Sequence, residues 1–129
     1  MGPMTTDPIS VVVADDHPAF RAAAAEVVGA ADGFVLASAV ESAPQAIEEI
    51  SRLIGPVLVV MDVQMPGMTG IAAAREIRER HLDATVVLVS GYDQRDLADL
   101  ADCGAAAFVP KEELSPALLT AIWREHART

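Results

Sequence analysis

Val57-Leu58-Val59-Val60-Met61-Asp62 is the run whose reading decides the fold. An unbroken apolar stretch, mostly β-branched and ended sharply by a carboxylate, suits a strand buried on both faces, as in the centre of a parallel sheet. Upstream, Gly55-Pro56 breaks a helix that Ser42 and Pro44 open and that carries Ile47, Ile50 and Leu53/Ile54 at helical spacing. Before it, Phe34 to Val40 reads as a strand. The alanine-rich stretch from Pro18 to about Ala31 reads as a helix stopped by Asp32-Gly33. Ile9 to Ala14 is a second β-branched run, again ended by acids, Asp15 and Asp16.

Downstream the alternation continues. A Pro/Gly loop leads to a helix over about Gly70 to Arg80 with Ile71, Ala74 and Ile77 inward. A strand follows over Thr85 to Val89, a helix over about Gln94 to Cys103 and a strand over Ala106 to Val109. The last helix opens at Ser115-Pro116 and carries Leu119, Ile122 and Trp123. Five such strands alternating with five helices through short loops predict an α/β fold, a doubly wound parallel sheet with helices on both faces. The flavodoxin-like strand order 2-1-3-4-5 puts the ligand crevice at the carboxyl ends of strands one and three. Asp15, Asp16 and Asp62 fall there.

A length of 129 residues allows one domain, taken as 9–129. Residues 1–8 are set aside as a tail, because Met1-Gly2-Pro3-Met4 has no signal-peptide character and its second methionine is compatible with an appended leader. Hydrophobic residues make up 52% of the chain, too many for disorder, yet no apolar run is long enough for a membrane helix. Nine Lys+Arg against 19 Asp+Glu give a net charge of −10, with no basic cluster, which argues against direct nucleic-acid binding. Cys103 is the lone cysteine; it excludes an internal disulfide, fits a reducing, cytoplasmic setting and is read as packing.

Carboxylates converging at one crevice repel one another unless a cation neutralises them. A site with few protein oxygens, open to water and phosphate, suits Mg²⁺. Ser90 adds a hydroxyl after strand four. Lys111, the only lysine beside eight arginines, follows strand five and offers a compact charge suited to a phosphoryl oxygen. His17, His81 and His126 lie on different elements without zinc-ligand spacing, so His17 is read as a loop residue.

Together these residues resemble the receiver domain of bacterial two-component response regulators, over residues 9 to about 127. The resemblance rests on Asp15-Asp16, on Asp62 followed by Met65-Pro66 and Gly70, on Ser90, and on Phe108 with Lys111. Asp15-Asp16-His17-Pro18 with Arg21 is similar to the subgroup usually fused to a LuxR-type helix-turn-helix DNA-binding domain. It implies that Asp62 is the phosphoacceptor, served by a sensor histidine kinase, a phosphotransfer protein or a small acyl phosphate. Asp16, Asp62 and the backbone carbonyl of Gln64 would hold Mg²⁺, with Asp15 acting directly or through water. Lys111 would pair with Asp62 and then with the phosphoryl group. Ser90 and Phe108 would switch together and alter the face of the fourth helix, fifth strand and fifth helix.

The implied protein is a regulatory phosphoacceptor that dephosphorylates itself, controls an output partner or DNA-binding domain and leaves homodimerisation open. Gly91 and Glu112 depart from the residues common in the family but remove no chemical group, and Gln64 and Tyr92 occupy positions that tune phosphoryl lifetime. Asp93, Asp96, Asp99 and Asp102 form an acidic ribbon on the expected fourth helix, either a solvated face or a surface for a basic partner. Trp123 is equally an interface anchor or a core residue. An aspartyl phosphatase would want an acid where Gln64 stands, and a nucleotide or flavin module would not present acids to an anion. The remaining rival is a receiver-like interaction module without a phosphorylation cycle.

Overall fold

β3 (Val57–Asp62) is buried at every residue, as its unbroken apolar run requires. Around it the computed structural model, which describes residues 8–80, 82–91 and 102–126, lays β1 (Ile9–Ala14), β2 (Phe34–Val40), β4 (Thr85–Ser90) and β5 (Ala107–Pro110). All neighbours are parallel and the order is β2-β1-β3-β4-β5. The helices are α1 (Pro18–Ala30), α2 (Ala43–Arg52), α3 (Gly70–Glu79) and α4 (Pro116–His126), the last being the expected fifth helix. The expected helix over 94–103 and its acidic ribbon fall almost wholly on 92–101, outside the described residues. Among the described residues no helix is long and apolar enough to cross a membrane.

The strands' period of two divides the core into two layers. On one face Val12, Val59, Met61 and Leu88 pack under α2 and α3 through Ala46, Ile47, Ile50, Ala74 and Ile77. On the other, Val11, Val13, Leu58, Val60, Val87 and Val89 pack under α1 and α4 through Ala24, Val28, Leu119 and Ile122. Cys103 is buried in the first layer, in keeping with a packing role. Trp123 is half-buried and meets Phe34 edge-on at 6.4 Å.

Two boundaries carry a physical reason. Ser42 caps α2 by accepting from the Gln45 N–H at 3.4 Å, as expected. The same helix ends earlier than its apolar spacing implies. Leu53 is already extended at ψ 146°, and Ile54 is 95% exposed. Gly55 at φ +96° followed by Pro56 turns the chain into β3, so Ile54 sits on the bend and not on a buried helical face.

Candidate functional site

The carboxyl ends of β1, β3, β4 and β5 open onto a cavity of about 280 Å³ lined by His17, Asp62, Gln64, Ser90, Gly91 and Lys111. Each element delivers one group to it.

β1 ends in Asp15, which is fully buried. Its Oδ1 accepts the His17 backbone N–H at 2.7 Å and lies 2.9 Å from His17 Nδ1. Its carbonyl accepts from Arg21 Nη1 at 2.7 Å. These bonds turn the chain from strand to helix and fix the carboxylate. Asp16 is part-exposed, but its Oδ1 is buried and has no hydrogen bond, with His17 Nδ1 3.3 Å away.

β3 delivers Asp62, whose Oδ1 accepts the Gln64 N–H at 3.1 Å. The loop beyond it returns closely: Gly70 N–H donates to the Val63 carbonyl at 2.9 Å, and a Cβ on Gly70 would collide with the Asp62 backbone carbonyl. Only glycine lets the start of α3 pack on the strand end there. β4 contributes Ser90, which is buried, in register with Pro110 of β5.

Lys111 opens a short 3₁₀ turn, Lys111–Glu113, directly after β5. Its Nζ lies 2.7 Å from Asp15 Oδ2, 3.4 Å from Asp62 Oδ2 and 4.6 Å from the centre of the Phe20 ring. The expected pairing with Asp62 is present, but Asp15 is the closer partner. Burial opposes charge on all three groups, and the balance differs for each. At Asp15 burial is outweighed by the Lys111 contact and the His17 bonds, which hold its carboxyl below the ordinary range. At Asp62 burial and the Asp15 charge prevail over the Gln64 N–H and Lys111, which pushes its carboxyl up. At Lys111 burial is outweighed by Asp15 and Asp62, so its ammonium is held above the usual lysine value.

The structure thus brings together Asp15, Asp16, Asp62, Gln64, Ser90 and Lys111. Phe108 stands on β5 away from the cavity lining, half-buried against the layer under α2 and α3. Sequence reasoning missed two residues. His17, expected as a loop residue, places Nδ1 within reach of Asp15, Asp16 and, at 3.9 Å, Asp62. Phe20 supports the Lys111 ammonium with its ring face. For His17 the available signal was its place directly after Asp16; for Phe20, its place four residues after Asp16 in the first turn of α1.

Ligand atoms from Asp15, Asp16, His17 and Asp62 all lie within 4.8 Å of one another. Crowded carboxylates with a buried oxygen that lacks a hydrogen bond fit a hard divalent cation, which would satisfy both charge and lone pair.

The sheet order and the acids and lysine at its carboxyl edge define a doubly wound α/β domain with an acidic pocket at the strand ends. The sequence matches the response regulator receiver domain family over residues 11–123, and the chain belongs to that family. It is 35% identical to the transcriptional regulatory protein PdtaR of Mycobacterium tuberculosis over 122 residues, covering 91% of this chain and 58% of that protein. It is 26% identical to the nitrate/nitrite response regulator NarL of Escherichia coli, covering 90% of this chain and 54% of that one. A LuxR-family DNA-binding response regulator from Staphylococcus aureus superposes with a TM-score of 0.81 at 25% identity, covering 93% of this chain and 99% of that one. A LuxR-family two-component response regulator from Aurantimonas sp. SI85-9A1 gives 0.77 at 28%, covering 92% and 84%. The chain therefore spans just over half the length of these two curated relatives.

Proposed function

We propose that this receiver domain is a phosphorylation-dependent signalling switch whose phosphoacceptor is Asp62. The observation that carries the reading is the convergence of Asp15, Asp16, Asp62 and Lys111 on one crevice at the strand ends. An Asp62 carboxylate oxygen forms the bond to phosphorus as the bond from phosphorus to its donor breaks. That donor atom, the imidazole nitrogen of a kinase or phosphotransfer phosphohistidine or the acyl oxygen of a small acyl phosphate, keeps the electron pair. Phosphoryl transfer asks little more of a protein than alignment and charge neutralisation.

Asp16, Asp62 and the Gln64 carbonyl would hold Mg²⁺, with Asp15 acting directly or through water. The ion supplies positive charge to the phosphoryl oxygens when bound. Lys111 moves its ammonium to the new phosphoryl group. Ser90, on the cavity wall, offers its hydroxyl to a phosphoryl oxygen, and Phe108 answers by changing rotamer. The altered face then controls an output partner or DNA-binding domain in the cytoplasm, and spontaneous hydrolysis resets Asp62.

Incubation with Mg²⁺ and acetyl phosphate, followed by intact mass, tests this. The expected result is one added phosphoryl group, absent in Asp62→Ala and much reduced in Lys111→Ala. Mg²⁺ binding with no phosphoryl uptake, from acetyl phosphate or from phosphohistidine donors, would instead make the domain an interaction module.

A further inference from the structure

We propose that His17 makes the acidic pocket a mixed nitrogen and oxygen site, in which a divalent first-row transition ion binds with His17 Nδ1 as a ligand. The inference rests on reading the pocket as a cation site, though not on phosphorylation. His17 stands at the N-cap of α1, where a short polar side chain would bond the first free N–H groups, yet its ring makes no capping bond. The ring turns to the acids, with Nδ1 at 2.9 Å from Asp15, 3.3 Å from Asp16 and 3.9 Å from Asp62.

Three carboxylates therefore face one imidazole nitrogen, and the four donor atoms lie within 4.8 Å of one another. Opposite ligands around an ion with bonds of about 2.1 Å are separated by about 4.2 Å. Small side-chain movements thus bring these donors onto a single ion. The buried Asp16 Oδ1 has no hydrogen bond and is the natural oxygen to meet it. The cavity that His17 and Asp62 line leaves room for water or phosphoryl oxygens at the remaining positions.

Carboxylates and carbonyls alone suit Mg²⁺, whereas an imidazole favours later first-row ions in the order Mn²⁺, Co²⁺, Ni²⁺. His17 accordingly extends the pocket's affinity beyond Mg²⁺ to these later first-row ions. The backbone N–H of residue 17, which holds Asp15, survives substitution, so the turn is kept when the ring is removed.

Calorimetric titration of the full chain with Mg²⁺, Mn²⁺ and Ni²⁺, repeated on His17→Ala and His17→Gln, tests the proposal. Both variants are expected to weaken Ni²⁺ about tenfold or more and Mn²⁺ less, while Mg²⁺ affinity stays within about twofold and reports an intact pocket. Pulsed electron paramagnetic resonance on the Mn²⁺ form should show a directly bound nitrogen that disappears in His17→Ala. Equal losses for all three ions, Ni²⁺ affinity independent of His17, or no bound nitrogen would overturn it. If Mg²⁺ bound the wild type and phosphorylation proceeded, those results would sink only this inference; failure of every cation to bind would remove the pocket reading as well.

Discussion

At the scale of residues, the site is governed by how one ammonium is shared between two buried carboxylates. Lys111 sits 0.7 Å closer to Asp15 than to Asp62, 2.7 against 3.4 Å, so Asp15 takes most of its stabilisation and Asp62 bears the repulsion. A raised carboxyl pKa contributes stability that is present at low pH and lost as pH rises through the folded value. At neutral pH without metal, Asp62 is therefore a liability. Asp62→Asn should stabilise the metal-free protein by on the order of 1 kcal/mol, a few degrees in Tm, and should remove the further rise that Mg²⁺ gives the wild type. Thermal melts in EDTA and in Mg²⁺ check this, and a lower Tm for the variant in EDTA would refute it. Lys111 has a linkage of the same sign, displaced to the alkaline range. Its raised pKa means that its contribution is complete below the ordinary value of 10.5 and is lost as pH rises through the folded one. Lys111→Met should lower stability at pH 7 by about 2–3 kcal/mol, since it leaves buried charge unpaired, and should flatten the alkaline limb of the urea-unfolding profile. For His17 the sequence showed its place after Asp16 but not the direction of its ring. Ring orientation depends on the turn that Asp15 builds, and no spacing rule describes a ligand set drawn from adjacent residues and a distant strand.

At the scale of elements, two glycines with opposite surroundings predict opposite outcomes. Gly70 begins α3 against the Asp62 carbonyl, whereas Gly29 lies in α1 with nothing within 4 Å of a built Cβ. Gly70→Ala should cost about 1–3 kcal/mol through overpacking and should slow phosphoryl uptake by shifting Asp62. Gly29→Ala should gain about 0.5 kcal/mol from helix propensity. Urea midpoints with an unchanged m-value separate the two, and equal effects would contradict the packing argument. The elements themselves were largely legible. Apolar runs and Pro/Gly punctuation gave β1 and β2 to the residue, and Ser42 gave the start of α2, because these signals are local. Ile54 misled because its apolar side chain fits the helical spacing while Gly55 and Pro56 dictate the backbone. Phe108 was legible as a strand aromatic, but its packing depends on the neighbouring layer.

At the scale of the whole molecule, the strand order gathers residues 15, 16, 62, 90 and 111 at one edge of the sheet, far apart in sequence though they are. That convergence was legible because a parallel alternating fold sends every strand's carboxyl end to the same side, so an acid after one strand necessarily faces an acid after its neighbour. The same order leaves β2 as an edge, with Val35 and Leu36 exposed and no charged residue along the strand. Leu36→Lys should therefore cut aggregation on heating, read by light scattering, while changing stability by less than about 1 kcal/mol. An unchanged aggregation onset would acquit the edge. The central claim, that Asp62 carries the phosphoryl group, is tested most directly by trapping. After treatment with Mg²⁺ and acetyl phosphate, borohydride reduction converts an acyl phosphate to an alcohol, and peptide mass spectrometry locates the change. Conversion of residue 62 to homoserine, dependent on acetyl phosphate, is the predicted result; a phosphorylated protein whose Asp62 survives reduction unaltered would contradict it.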